Sequence, residues 1–254
     1  MAVTIKTAEE IEILREGGRR LSRILNQVAA SVKAGMTKIE IDKMAEDLIL
    51  LGGDIPAFKN YKPGSARKAF PAVICISVNE EVVHGIPNDY KLKEGDIVGL
   101  DLGIKHRGLF TDMAVTVGIG KIDKTAERLM EVTSQALEVG IMAAVGGATT
   151  GDIGYAIESF VKPYKFGIVR ELSGHGVGHH IHEDPYVPNY GRRGSGIKLK
   201  PGMVLALEPM INEGREGIIL GRDNFTYSTE DGRRSAHFEK TILITDGKPE
   251  ILTP

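Results

Sequence analysis

The chain has 254 residues, which is room for one large domain or two modest ones at about 100 to 200 residues per domain. Hydrophobic residues make up 42% and charged residues 26%, and the formal net charge is −2; this composition excludes disordered and fibrous proteins and gives no global sign of a DNA or membrane partner. The single cysteine, Cys75, excludes an internal disulfide, and no uncharged apolar stretch of about 18 residues occurs, so we expect a cytoplasmic protein.

Two pairs of helices are predicted. Three of the four helices begin with a capping box, in which a threonine and an acidic residue three positions later satisfy free N–H groups of the first turn: Thr7 with Glu10, Thr37 with Glu40 and Thr149 with Asp152. Apolar residues at helical spacing, and the glycines that end these patterns, place the helices over about residues 11–28, 37–51, 125–144 and 149–161.

Apolar, β-branched runs between and after these helices predict strands over residues 72–78, 97–104, 113–117, 203–211 and 241–245. Residues 91–101 align with residues 198–208 without a gap, and an acidic residue ends each copy. Two copies are too few for a solenoid. The sequence therefore predicts one α/β domain built from two related halves, about 1–122 and 123–254, with the functional site between them.

Two aspartates interrupt neighbouring apolar runs of the first half. If residues 105–108 form a four-residue hairpin loop, Asp101 lies directly opposite Asp112 on the same face of the sheet, with Cβ atoms about 5 Å apart. Like charges at this distance repel unless a cation lies between them, which favours a metal site. The alternative is a loop of another length that leaves one aspartate at the surface.

Two more acids, Glu208 and Glu239, interrupt apolar runs in the second half. Burying four carboxylates without compensation would exceed the stability margin of a fold, so one shared metal site is favoured over four separate ion pairs. Residues 173–185 hold four of the seven histidines in a glycine-rich segment that can supply nitrogen ligands. Within it, His179 and His180 are predicted to be structural or surface groups.

Other enzyme classes fit the sequence less well. No GxGxxG motif opens a helix with an acid downstream, so a dinucleotide-binding fold is a weak alternative. No GxSxG motif occurs, and we expect the thiol of Cys75, inside an apolar run, to pack or line a pocket rather than attack a substrate.

Seven short motifs, in order along nearly the whole chain, resemble those of the type I methionine aminopeptidases in their compact bacterial form: VNEEVVHGIP with His84, LDLG with Asp101, TDMA with Asp112, SGHGVG with His175, HEDP with His182, LALEPM with Glu208 and SAHFEKT with Glu239. The close spacing of Glu208 and Glu239 fits type I better than type II. The resemblance implies the α/β pita-bread fold, a pseudo-two-fold duplication with a central antiparallel sheet and flanking helices.

The resemblance also implies a role for each motif residue. Two divalent ions, of cobalt, manganese, iron or zinc, would be held by five ligands: Asp101, Asp112, His175, Glu208 and Glu239. Asp112 and Glu239 would bridge the ions, and Glu208 would take and return a proton during hydrolysis. His182 would hydrogen-bond the scissile carbonyl oxygen, and His84 would contact the scissile amide nitrogen.

A pocket for the methionine side chain is implied on the same grounds. The candidate pocket residues are Phe70, Cys75, Tyr61 and Phe225. The loop over residues 60–70 that carries Tyr61 is longer than in compact relatives. Phe225 and Ile181 stand where many relatives have Trp and Phe, which predicts a looser pocket edge; for Ile181, plain core packing is the alternative.

The expected activity is removal of the initiator methionine from nascent polypeptides whose second residue is small and uncharged. The partners implied by the resemblance are nascent-chain N-termini and, transiently, the ribosome, for an enzyme that acts as a monomer without DNA or membrane. The alternative is a binding protein of the same fold that has lost catalysis. The presence of all five ligands and both auxiliary histidines argues against that alternative.

Overall fold

A computed structural model describes residues 3–62 and 68–254 of the chain. Within these ranges four α-helices form: α1 (Ala8–Ser31), α2 (Lys38–Leu51), α3 (Lys124–Ala143) and α4 (Thr150–Val161). The strands, in chain order, are β1 (Ile55–Pro56), β2 (Ile74–Val78), β3 (Glu81–Val83), β4 (Ile97–His106), β5 (Leu109–Gly118), β6 (Gly167–Ile168), β7 (Gly174–Gly176), β8 (Glu183–Val187), β9 (Val204–Leu207), β10 (Met210–Asn212), β11 (Ile218–Leu220), β12 (Tyr227–Thr229), β13 (Ser235–His237), β14 (Glu239–Leu243) and β15 (Glu250–Ile251). None of the helices in the described ranges is long and apolar enough to cross a bilayer.

The predicted helix starts are confirmed. The side chains of Thr7, Thr37 and Thr149 each accept a hydrogen bond from the backbone N–H three residues later, at 3.3, 3.1 and 3.2 Å. In each box the acidic side chain accepts a bond from the N–H of the threonine in return. Helix α3 uses another cap, because the side chain of Asp123 accepts hydrogen bonds from two N–H groups of its first turn.

A central antiparallel sheet joins the two halves of the chain. Its strands follow the order β1-β4-β5-β14-β9-β7-β8, with β2 paired to β4 and β15 to β14, and the halves meet where β5 pairs with β14. Corresponding backbone bridges join Thr37 to Lys91 in the first half and Thr149 to Lys198 in the second. Each bridge links the second helix of a pair to the start of the repeated segment, so the predicted fold class and duplication are confirmed.

The helices cover one face of the central sheet and leave the other face for a site. On β9, Leu205 and Leu207 pack into the cluster that contains α3 and α4, whereas Val204 and Ala206 belong to a separate cluster on the opposite face. Side chains alternate along a strand. Asp101 on β4 therefore points away from the leucines on either side of it, which pack with α1 and α2.

The predicted four-residue hairpin loop is wrong. A two-residue turn, Arg107–Gly108, joins β4 to β5, and both residues have positive φ, 47° and 94°, as a type I′ turn requires. The register is shifted by two residues, so Asp101 pairs with Ala114 and not with Asp112. Because side chains alternate with a period of two, the shift keeps both aspartates on one face as diagonal neighbours.

The single strand predicted over residues 203–211 is also wrong, because it divides into β9 and β10 at Glu208–Pro209. Proline lacks the N–H that a central strand needs. The run that carries Glu239 divides in the same way, at Phe238, into β13 and β14. Since β9 pairs with β14 in the central sheet and β10 with β13 in a three-stranded sheet, both glutamates lie where the chain passes between sheets.

Candidate metal centre and substrate cavity

Three carboxylates converge on the open face of the central sheet. Asp101, Asp112 and Glu239 come from the adjacent strands β4, β5 and β14, and one oxygen of each lies within 4.8 Å of the others. All three side chains are buried. The two aspartates are therefore close together as predicted, with Glu239 as a third member of the group.

A second group of side chains shares Glu239. One ligand atom each of His175, Glu208 and Glu239 lies within 4.8 Å of the other two, and Nε2 of His175 is 3.4 Å from Oε1 of Glu208. Burial lowers the pKa of His175 to about 4, so the ring is neutral. Its Nδ1 donates a hydrogen bond of 2.9 Å to the carbonyl oxygen of Gly176. Because a carbonyl can only accept, Nε2 keeps its lone pair, as a metal-ligating histidine must.

Burial disfavours the charged forms of the four acids in this cluster. It raises the pKa of Asp112 to about 7. Burial, together with the neighbouring carboxylates, raises the pKa values of Asp101, Glu208 and Glu239 well above their usual range. Within the described part of the chain, Asp101 Oδ1 and Glu239 Oε1 have no hydrogen-bond partner. A divalent cation would satisfy these oxygens and cancel the repulsion, so the donor set fits metal ions.

Two further histidines face the cluster. The ring centroids of His182 and His175 lie 4.5 Å apart, and Nδ1 of His182 is 2.8 Å from the hydroxyl oxygen of Tyr61. One nitrogen of His182 also lies within 4.8 Å of ligand atoms of His175 and Asp112, so distance alone does not separate His182 from the ligands. Burial lowers the pKa of His182 to about 2 and that of His84 to about 4, so both rings are neutral.

The site residues predicted from the sequence line one cavity of about 90 Å³. One wall is made by the five candidate ligands, and the other walls are formed by His84, His182, Tyr61, Phe70, Cys75, Phe225 and Phe58. Burial raises the pKa of Cys75, so its thiol is a neutral wall group. The described lining does not include Ile181, which is buried in an apolar cluster, and this favours the core-packing alternative. Residues 63–67 of the predicted long loop lie outside the described residues.

The HEDP segment is held by contacts between polar groups. Its buried Glu183 accepts hydrogen bonds from the ammonium group of Lys6, at 2.7 Å, and from the backbone N–H of His180, at 2.8 Å. Nε2 of His179 lies 2.6 Å from Oε1 of Glu10 at the start of α1. These contacts fit the structural role predicted for His179, and they fix the loop to the N-terminal segment.

Two residues beside the cavity are not among the site residues that the sequence predicts. Phe58 lines it and packs edge-on against Phe70, with ring centroids 6.5 Å apart. His237 is buried, and its Nε2 lies 3.6 Å from Oε2 of Glu208 with no hydrogen-bond partner among the described residues. The sequence does contain a signal for His237: it lies two positions before Glu239, and residues at this spacing are expected on the same side of an extended chain.

The chain matches metallopeptidase family M24 over residues 12–246. It is 43% identical to methionine aminopeptidase 1 of Bacillus subtilis over 251 residues, which cover 99% of each protein. Its fold is similar to that of methionine aminopeptidase from Thermotoga maritima, with a TM-score of 0.95, 40% identity and 99% of both chains covered. The methionine aminopeptidase from Rickettsia prowazekii also gives a TM-score of 0.95, with 37% identity over 100% of both chains. Family match, fold and a buried cluster of metal-binding side chains agree, and the chain therefore belongs to metallopeptidase family M24.

Proposed function

We propose that this chain is a methionine aminopeptidase, a hydrolase that removes the initiator methionine from polypeptides whose second residue is small and uncharged. Relatives of that name match it over nearly its full length. The observation that carries the proposal is a cavity in which apolar walls face a cluster of buried metal-binding groups. A methionine side chain held against the apolar walls would present the first peptide bond to the cluster.

Five side chains would hold two divalent ions. Support comes from the two groups of converging ligand atoms, which share Glu239. Four carboxylates with one imidazole suit cobalt, manganese, iron or zinc. When bound, such ions polarise the scissile carbonyl and lower the pKa of water towards neutrality. The proposed ligands are Asp101, Asp112, His175, Glu208 and Glu239, with Asp112 and Glu239 shared between the ions.

Proton transfer and hydrogen bonding to the substrate are proposed for Glu208, His182 and His84. Glu208, whose side chain is 14% exposed, reaches the cavity. It would take a proton from the attacking water and return it to the leaving amine. His182 would donate a hydrogen bond to the carbonyl oxygen as negative charge develops on it, and His84 would contact the amide nitrogen.

The apolar walls would bind the methionine side chain by burying its surface, and aromatic edges favour a thioether. The walls proposed for this role are Tyr61, Phe70, Cys75, Phe225 and Phe58. A groove shares His84 and His182 with the cavity and continues past Leu172 and Met210, which offers a path for the polypeptide. The second residue would lie at the junction of cavity and groove, where a small side chain is expected.

The substrates would be the N-termini of newly made polypeptides. We propose that the enzyme acts in the cytoplasm as a monomer, in transient contact with the ribosome and without DNA or membrane. The alternative of a non-catalytic binding protein is not favoured, because the donor groups of the cluster are all present and lie together.

Release of free methionine from the tripeptide Met-Ala-Ser tests this function. We expect release that a chelator abolishes and that added divalent ions restore, and much slower release from Met-Lys-Ser. Glu208→Gln should remove activity, whereas Glu213→Gln, at a glutamate that pairs with Arg234 away from the cavity, should retain it. Equal rates on the two peptides, or release that a chelator leaves unchanged, would contradict the proposal.

A further inference from the structure

Two neutral histidines of one loop have different partners at Nδ1. The Nδ1 atom of His175 faces the carbonyl oxygen of Gly176, which can only accept a hydrogen bond. The Nδ1 atom of His182 faces the hydroxyl group of Tyr61 at 2.8 Å, and a hydroxyl group can donate. In a neutral imidazole the partner of one nitrogen decides which nitrogen carries the proton. The two rings, only 4.5 Å apart, can therefore carry their protons on opposite nitrogens.

Tyr61 is equipped to be the donor in this pair. Burial raises the pKa of its hydroxyl group, which therefore keeps its proton at neutral pH. The ring centroids of Tyr61 and His182 lie 5.2 Å apart, and the two ring planes are inclined at 49°. If the hydroxyl group donates to Nδ1, the proton of His182 must be on Nε2, the nitrogen that Tyr61 does not engage.

The backbone around Tyr61 holds it in place. Its N–H donates a hydrogen bond of 2.8 Å to the carbonyl oxygen of Phe58, and its own carbonyl oxygen accepts one of 2.8 Å from Phe70. The N–H of Asn60 donates a bond of 2.9 Å back to the carbonyl oxygen of Phe70. These bonds close the base of the loop over residues 60–70, so the tyrosine is fixed on the same segment as the aromatic wall of the cavity.

We propose that Tyr61 is a positioning residue for catalysis: its hydroxyl group donates a hydrogen bond to Nδ1 of His182 and thereby makes Nε2 of that ring a hydrogen-bond donor rather than a metal ligand. The inference rests on the proposed function, because it gives His182 its role as a donor to the scissile carbonyl oxygen. It also supplies a physical reason why His175 and His182 act differently although both lie within reach of Asp112.

The tautomer of His182 is measurable without any reaction. In the metal-free protein with ¹⁵N-labelled histidine, long-range ¹H–¹⁵N spectra distinguish a protonated Nε2 from a protonated Nδ1. We expect His182 to be protonated at Nε2 and His175 at Nδ1. A His182 ring that is protonated at Nδ1 would overturn the proposal, since Tyr61 would then be the acceptor.

A double-mutant cycle tests the effect on the reaction. Tyr61→Phe retains the aromatic wall and should lower kcat on Met-Ala-Ser about tenfold with little change in KM, as loss of an orienting partner does. In a His182→Ala background the same change should cost less than about twofold, because the group that it positions is gone. Tyr190→Phe, which removes a hydroxyl group bonded to Arg170 away from the cavity, is the matched control and should leave kcat unchanged.

The outcomes separate the two proposals. Equal losses from Tyr61→Phe in both backgrounds would show that the tyrosine acts only as a pocket wall, which would overturn the inference. Full activity in His182→Ala would refute the role proposed for His182 and the effect of Tyr61 on catalysis with it. In that case the tautomer spectrum still decides whether the hydrogen bond itself is oriented as proposed.

Discussion

Asp112 offers a test of the metal centre that needs no enzymatic activity. An unfolded aspartate ionises near its ordinary pKa of 3.8, whereas burial raises the pKa of Asp112 in the folded, metal-free protein to about 7. Between these values the folded state binds more protons than the unfolded state, so stability falls as the pH rises, and the loss is complete above the folded pKa. The metal-free protein is therefore destabilised at pH 8 by a carboxylate that a bound cation would compensate.

The expected magnitude follows from the size of this shift. About three pKa units at about 1.4 kcal/mol each correspond to a penalty of about 4 kcal/mol at pH 8. Asp112→Asn removes the charge and retains an oxygen to accept the hydrogen bond from the N–H of Met113, now 3.1 Å long. Metal-free Asp112→Asn should therefore exceed the metal-free parent in stability by roughly 2 to 4 kcal/mol at pH 8, and by much less at pH 5.

Urea unfolding in the presence of a chelator, at pH 8 and at pH 5, measures this difference. Addition of Mn²⁺ should then stabilise the parent protein, because it binds only the folded state, and leave Asp112→Asn almost unchanged. Asp96→Asn is the control, since Asp96 is also buried but accepts hydrogen bonds from Asn79, Tyr90 and the N–H of Lys93, and its substitution should lower stability. A variant at Asp112 that is less stable than the metal-free parent at pH 8 would refute the reasoning.

Three further predictions concern the cavity and its loop. His175→Ala should lose metal and activity together, whereas His182→Ala should keep its metal, as measured by elemental analysis, while kcat falls about 10²- to 10³-fold; the reverse pattern would mean that the two roles are exchanged. Phe58→Ala should raise KM for Met-Ala-Ser about tenfold with a smaller effect on kcat, and steady-state kinetics that show an unchanged KM would remove it from the pocket. Lys6→Met leaves Glu183 buried without its cation and should destabilise the protein by about 3 to 5 kcal/mol in urea unfolding. Adding Glu183→Gln should recover part of that loss of stability, and a fully additive second loss would contradict the pairing of Lys6 with Glu183.

Local signals in the sequence are enough to predict the helices and the acids of the site. A capping box needs only two residues three positions apart, and the boxes at Thr7, Thr37 and Thr149 form as predicted. A carboxylate inside an apolar run is also visible locally, which is why the amino-acid pattern alone singles out Asp101 and Glu239.

The sequence predictions fail where backbone conformation or tertiary contacts determine the structure. The two-residue turn uses Arg107 at a positive φ of 47°, a residue type that gives no signal for a type I′ turn. Phe58 precedes the predicted pocket residues in an ordinary apolar setting, and only the fold brings it against Phe70. Only the family resemblance distinguishes the roles of His175 and His182, because these roles depend on hydrogen-bond partners that sequence spacing does not reveal.

Anomalous X-ray diffraction from crystals of the zinc-loaded protein, recorded on both sides of the zinc absorption edge, tests the central claim most directly. We predict two neighbouring zinc peaks within the cluster, one bound by Asp101, Asp112 and Glu239 and the other by Asp112, His175, Glu208 and Glu239, with Nε2 of His182 bound to neither. Zinc peaks only outside the cluster, or a zinc ion bound by His182 with His175 free, would contradict the account.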